Sequence, residues 1–389
     1  MLKSLSTLLA VLAATLLLPL LGALLGGVPL SDLLALPLQR RAWDPLPASG
    51  TWTLIASALA LLIPALIFWL AHPVRPAAPS VDARGRAGQS LHTWPRYTWL
   101  SALLPIAAIA AVDGDAINLA CGLLTLAVTI AANADTERRT GHSLLRQRPG
   151  YFYTLFLVSL AAGWALYWLN LYLQLWTYPA AAETVPFVLG KSIDYAVLLP
   201  ALLSLRQWLA SFPPLLGWTN RARPLGSPLS AAGSPPEGAL LAGTGAIGLA
   251  GAALWPDWIY PLTLLAPLLV VLGVQQLSAR PTLLAGLPHG DWSRVLLPMA
   301  AALLLGLVTQ GCNTLLGPAW VLELPLLGGP SPLGLPLPAW TLLALLGPLG
   351  VWLGDQLTTP WKQRPQQPPH RPRFPIKIVV ESGPGRRRN

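Results

Sequence analysis

Ten apolar runs, separated by short polar or basic breaks, divide the chain: residues 4–27, 52–71, 97–112, 117–133, 151–176, 187–209, 239–255, 259–277, 295–316 and 335–353. Most approach or exceed the roughly 20 residues that a helix needs to cross a bilayer, so the pattern predicts an all-α, polytopic helical membrane protein with ten transmembrane helices. One run also carries a polar pattern. In GWALYWLNLYLQLWTY, residues 163–178, Gly163, Tyr167, Asn170, Gln174 and Tyr178 fall at i, i+4, i+7, i+11 and i+15 and form one stripe on a helix. The ninth run repeats its start as Gly306, Gln310 and Asn313. Asn170 and Asn313 are 143 residues apart, as are Gly163 and Gly306, and Gly114 and Asp257 in two tight turns. This offset predicts tandem four-helix repeats over 97–210 and 239–354. Four crossings return the chain to its starting side, so the copies are expected to be parallel, related by an axis along the membrane normal. Residues 1–96 add two N-terminal helices and a basic loop, 211–238 a flexible linker rich in Pro, Gly and Ser, and 355–389 a disordered basic tail.

Composition sharpens the class. Of 389 residues, 54% are hydrophobic and 10% charged, against about 25% charged in soluble domains. Many of the 41 prolines and 34 glycines stand inside apolar runs, which predicts kinked helices whose neighbours satisfy the freed backbone groups. The net charge of +10 suggests nucleic acid until its positions are mapped. On the ten-span plan 22 of the 25 Lys and Arg fall on one side, leaving Arg40 and Arg41 outside and Lys191 within the sixth span. That is the positive-inside pattern: both termini cytoplasmic, a multi-pass protein of the bacterial inner membrane, no nucleic-acid partner. The tail is expected to lie on anionic lipid, so the partners are membrane lipids and a hydrophobic ligand. The first run exceeds a signal-peptide core and no A-x-A site ends it, so it reads as an uncleaved helix. Cys121 and Cys312, both in apolar spans, read as small hydrophobes rather than a disulfide. The five histidines lie in loops, at span ends or in the tail; no cofactor and no metal site are expected. With no G-x-x-x-x-G-K, H-E-x-x-H or G-x-S-x-G motif, a nucleotide-driven pump is unsupported.

The candidate chemistry sits near the outer helix ends. Asn170, Gln174, Gln310 and Asn313, joined by Tyr167, are expected to line one outer-leaflet cavity, because a polar stripe turned to lipid would leave its amides unsatisfied. Lys191 and Asp194 stand one turn apart in the sixth span and can pair. Weaker candidates are Glu183 and Glu323, the two outer glutamates, as an acid/base pair, and Trp164 and Trp168 as lining for an apolar ligand. Each has a plainer reading: amides bonding between helices packed closely at Gly163 and Gly306, a snorkelling self-neutralised ion pair, interfacial tryptophans. The glycine-rich TGAIGLAG, residues 244–251, reads as helix packing.

Several stretches carry a likeness: ERRTGHSLLRQRPGYF, YWLN followed by LQLWTY, PDWIYPLTLLAPL, GDWSR and LELPLLGG, spread over most of residues 130–330. In these the chain resembles an uncharacterised family of bacterial, chiefly proteobacterial, polytopic inner-membrane proteins. The position three before each Asn, usually acidic in that family, is Tyr167 and Gln310 here, so the resemblance implies no carboxylate chemistry at the stripe. A distant likeness to membrane-embedded carotenoid and lycopene cyclase domains rests on W-x-Y followed by Pro and Glu; the paired P-x-E-E carboxylates of that group are absent. Three function classes follow: a protein that binds or moves an apolar or amphiphilic, isoprenoid-like ligand, an intramembrane isoprenoid enzyme, and an assembly or scaffold subunit.

Overall fold

Helices form where the apolar runs are long. The computed structural model describes residues 2–29, 36–73, 117–179, 181, 183–226, 235–316 and 320–358. Within them nine long helices follow the runs: α1 Leu2–Leu25, α2 Gly50–Leu70, α3 Ile117–Thr140, α4 Pro149–Leu173, α5 Thr184–Ala210, α6 Pro235–Gly251, α7 Pro256–Leu277, α8 Ser293–Leu315 and α9 Leu337–Thr358. Eight are long and apolar enough to cross a membrane, the build of a multi-pass helical membrane protein. The ninth, α6, has 17 residues. The run expected at 97–112, the loop before it and the basic tail from 359 onward lie outside the described residues. Prolines sit inside α1, α2, α5, α7, α8 and α9, as expected where packed neighbours satisfy the freed carbonyls.

Helix α5 is the hub, packed against α3, α4, α8 and α9. Its Leu199, Leu202 and Leu203 join Tyr151 and Leu155 of α4 and Val351 of α9 in one buried cluster. By contrast α2 rests mainly on α9, where Thr341 Oγ1 donates to Ala60 O at 3.2 Å. Leu54 and Phe68 of α2 are 73% and 62% exposed, a surface that hydrocarbon stabilises and water does not. Close helix approach depends on two glycines. A methyl at Gly163 would overlap the Tyr195 side chain of α5, and one at Gly306 would overlap Leu343 of α9. The expected packing role of the glycine-rich run also holds: Gly245, Gly248 and Gly251 of α6 lie against Val270, Leu262 and Ile259 of α7, with no space for a side chain.

Four expectations change. First, α4 stops at Leu173, because Gln174 takes a left-handed conformation (φ 48°) and the chain turns into a strand, so Gln174 and Tyr178 leave the helical stripe. Second, Cys121 of α3 and Cys312 of α8 are joined as a disulfide, their Cα atoms 5.7 Å apart. Sequence position hides this pairing, since it depends on α3 packing against α8 across a separation of 191 residues. Third, the segment expected as a flexible linker begins with a helix, Pro213–Thr219, and then docks: Trp292 N donates to Thr219 O at 2.8 Å and Leu225 N to Leu287 O at 2.9 Å. Fourth, two short strands, β1 Trp176–Thr177 and β2 Val321–Leu322, pair antiparallel with Trp176 opposite Leu322 and Thr177 opposite Val321.

The ends of the bundle can be named from these features. The ladder face carries β1 and β2, the C-termini of α4 and α8, and the residue 36–49 segment between α1 and α2. The basic face carries the N-termini of α4 and α8 and the C-termini of α5 and α9.

Candidate functional site

At the ladder face the predicted stripe is occupied by the protein's own backbone. The Asn170 amide brackets one residue beyond the helix end: Nδ2 donates to Trp176 O at 2.8 Å and Oδ1 accepts from Trp176 N at 3.2 Å. Asn313 does the same for Trp320, at 2.9 and 3.1 Å. These brackets aim the following strands at each other, and Glu323 N extends the pairing to Leu175 O at 2.8 Å. The remaining stripe groups hold loops. Tyr167 Oη accepts from Leu38 N at 2.9 Å, Gln174 Oε1 from Ala42 N at 2.6 Å, and Gln310 Nε2 donates to Leu333 O at 2.6 Å. Asn170, Gln174, Gln310 and Asn313 are all buried. The expected open cavity is therefore filled by peptide: a strap, residues 36–49, and the two strands. The physical reason is that loop N–H and C=O groups brought to membrane depth need partners as much as the amides do.

Lys191 and Asp194 of α5 pair as expected, Nζ to Oδ2 at 2.9 Å, with the Lys191 side chain 3% exposed. The ammonium does not snorkel. It lies over the Tyr178 ring at 4.9 Å and the Tyr195 ring at 5.7 Å, and those two hydroxyls meet at 3.1 Å. Aromatic faces replace part of the lost hydration. Trp176 Nε1 donates to Tyr178 Oη at 3.0 Å, so the Asn170 bracket and the ammonium cage share one tryptophan. Trp164 stacks edge-on to Tyr167 and Tyr195 and donates to Ser192 Oγ at 3.1 Å. Trp168 instead bonds Leu16 O of α1 at 3.2 Å, which fastens α1 to α4. Glu183 and Glu323 are exposed at the start of α5 and just past β2.

The stripe pattern does not single out Arg41 or Asp257, yet they anchor the strap. The Arg41 side chain is 6% exposed, 3.6 Å from Asp257 Oδ1, and donates to Leu173 O at 3.4 Å; Asp257 Oδ2 accepts from Leu46 N at 3.1 Å. Burial draws the Arg41 guanidinium below its ordinary pKa, against the opposing pull of the Asp257 and Glu323 carboxylates. Asp257 was marked in the sequence only by its place in the offset of 143.

The basic face holds an open volume. Buried carboxylates of α3 first order its loop. Asp135 accepts from Arg138, Arg139 and Trp208 at 2.6, 2.6 and 2.9 Å, and Glu137 accepts from Arg146 and Ser143. Beside this loop a cavity of about 390 Å³ lies between the ends of four helices. Its polar lining comprises Gln147 and Arg148 just before α4, Tyr151 of α4, Arg206 and Gln207 of α5, Ser293 of α8 and Asp355 of α9. None of these residues stands out in the apolar periodicity, because the cavity arises where four separate helix ends converge.

Among the described residues no three His, Cys, Asp or Glu side chains stand close enough to share a metal ion. No protein family, curated protein or solved structure matches the chain.

Proposed function

We propose that this protein is a ten-span bacterial inner-membrane protein with both termini cytoplasmic, built from two parallel repeats, and that it binds an amphiphilic, lipid-like ligand between them at the basic face. The observation that carries the reading is the cavity of about 390 Å³ bounded by α4 and α5 of one repeat and α8 and α9 of the other. Its volume is in the range of small-ligand sites, and leucines share the wall with the charged groups. Three features support the repeats. Asn170 and Asn313 make the same bracket, Gly163 and Gly306 make the same helix contact, and Thr177 lies directly opposite Val321 in the ladder. The two brackets differ by one residue of loop, so Thr177 and Val321 are equivalents, and a two-fold axis along the membrane normal would pass between them. A disulfide at the ladder face fits an oxidising compartment, which, with the arginine count, supports the reading that this face is outside.

This reading moves the ligand from the outer leaflet, where the stripe is filled by the strap, to the inner ends of the helices. Lipid co-purification followed by native mass spectrometry tests it. The wild-type protein should retain a discrete amphiphile, and Ala210→Trp, which adds bulk to the cavity lining, should lose it while melting normally in detergent. Equal retention by the two proteins, or no retained amphiphile in either, would refute the cavity reading.

A further inference from the structure

We infer that this cavity recognises a phosphate group, presented by the headgroup of an anionic lipid of the adjoining leaflet, and that Arg148 and Arg206 are its ligands. The inference rests on the reading of the cavity as an amphiphile site and assigns it a chemistry. The argument comes from sorting the polar lining by what is already bonded. Tyr151 donates to Gly354 O at 3.0 Å and Gln207 accepts from Leu144 N at 2.8 Å. Ser293 donates through both N and Oγ to Asp291, at 3.0 and 2.6 Å. Asp355 is paired with Arg294 at 2.9 Å. Gln147 is uncharged, which leaves Arg148 and Arg206 as the lining cations, neither of which closes an ion pair among the described residues. Both are cations in a space with one lining carboxylate, Asp355, which Arg294 engages and whose field also reaches Arg206, so positive charge is in excess there.

Position and shape select the ligand class. Arg206 lies one turn before the end of α5 and Arg148 immediately before the start of α4, the depth of a headgroup rather than of acyl chains. The N-terminus of α4 adds positive potential, since Arg148 offers no side-chain cap, whereas that of α8 is occupied by Asp291. Guanidinium forks match phosphate oxygens in pairs, and basic pockets between membrane helices suit phospholipid headgroups. The leucine part of the wall, Leu203 and Leu297, continues from the charged end and suits the first methylenes of an acyl chain.

The test uses the full-length protein, delipidated in a neutral detergent and titrated with short-chain phosphatidylglycerol, phosphatidylcholine, diacylglycerol or inorganic phosphate. Binding is read by native mass spectrometry and by the shift in melting temperature. Phosphatidylglycerol should bind most tightly and diacylglycerol should not bind. Arg206→Gln should weaken the phosphatidylglycerol complex at least about tenfold, Arg206→Lys less, and Arg148→Gln with Arg206→Gln should abolish it. Each variant should melt like the wild type without lipid, which separates lost binding from lost fold. Unchanged affinity in the double variant overturns the phosphate assignment, and if Ala210→Trp still loses a bound amphiphile the cavity reading stands alone. Inorganic phosphate binding as tightly as the lipid, with the same dependence on both arginines, overturns the assignment to a lipid.

Discussion

Asn170 and Asn313 each use both amide atoms on the backbone of a tryptophan that follows their helix. Replacing either with Ala strands a buried N–H and C=O, so Asn170→Ala and Asn313→Ala should each cost roughly 1–3 kcal/mol, measured as midpoint shifts in detergent unfolding. A loss at only one position would mean that the brackets are not equivalent. Lys191 and Asp194 obey a different arithmetic. Removing one partner leaves an uncompensated buried charge at a cost of about 3–5 kcal/mol, while Lys191→Ala with Asp194→Ala together should cost less than either single change. A double variant less stable than both singles would show that the aromatic cage, not the pairing, decides the stability. At this scale the sequence was informative about polarity and silent about partners. Periodicity put Tyr167 and Asn170 on one face, but nothing local to them shows that Leu38, 129 residues away, supplies the N–H that Tyr167 accepts.

The helices themselves were legible because hydrocarbon demands long apolar runs, and eight described helices follow them. Their ends were less so. Gln174 continues the apolar–polar rhythm perfectly well as a letter, yet it sits at φ 48°, since Asn170 pulls the chain out of the helix at Trp176. Which helices touch was not legible, and the disulfide shows the consequence. Cys121 and Cys312 look like two buried small residues until α3 meets α8. Because both cysteines are bonded, denatured protein kept oxidised should take up no maleimide-linked polyethylene glycol, and reduced protein should take up two. A protease site placed in 227–234 supplies a second readout: the cut fragments should co-migrate until reductant is added. Fragments that part without reductant would sink the cross-link.

For the whole molecule, the disulfide fixes more than stability. A carrier that passes a solute through a membrane must part its two ends in alternation, each closing before the other opens. Here one end is stitched together, since the covalent tie holds α3 and α8 at a Cα separation of 5.7 Å and the strap and strands close the same face through Ala42 with Gln174 and Trp176 with Leu322. On the proposed two-repeat reading, such a tie would let the halves move least there and most at the far end, where the four helix ends surround their cavity. A body tied in that way would breathe from one side only, which under the proposed function suits loading and unloading from a single leaflet and not the handing of cargo from one leaflet to the other.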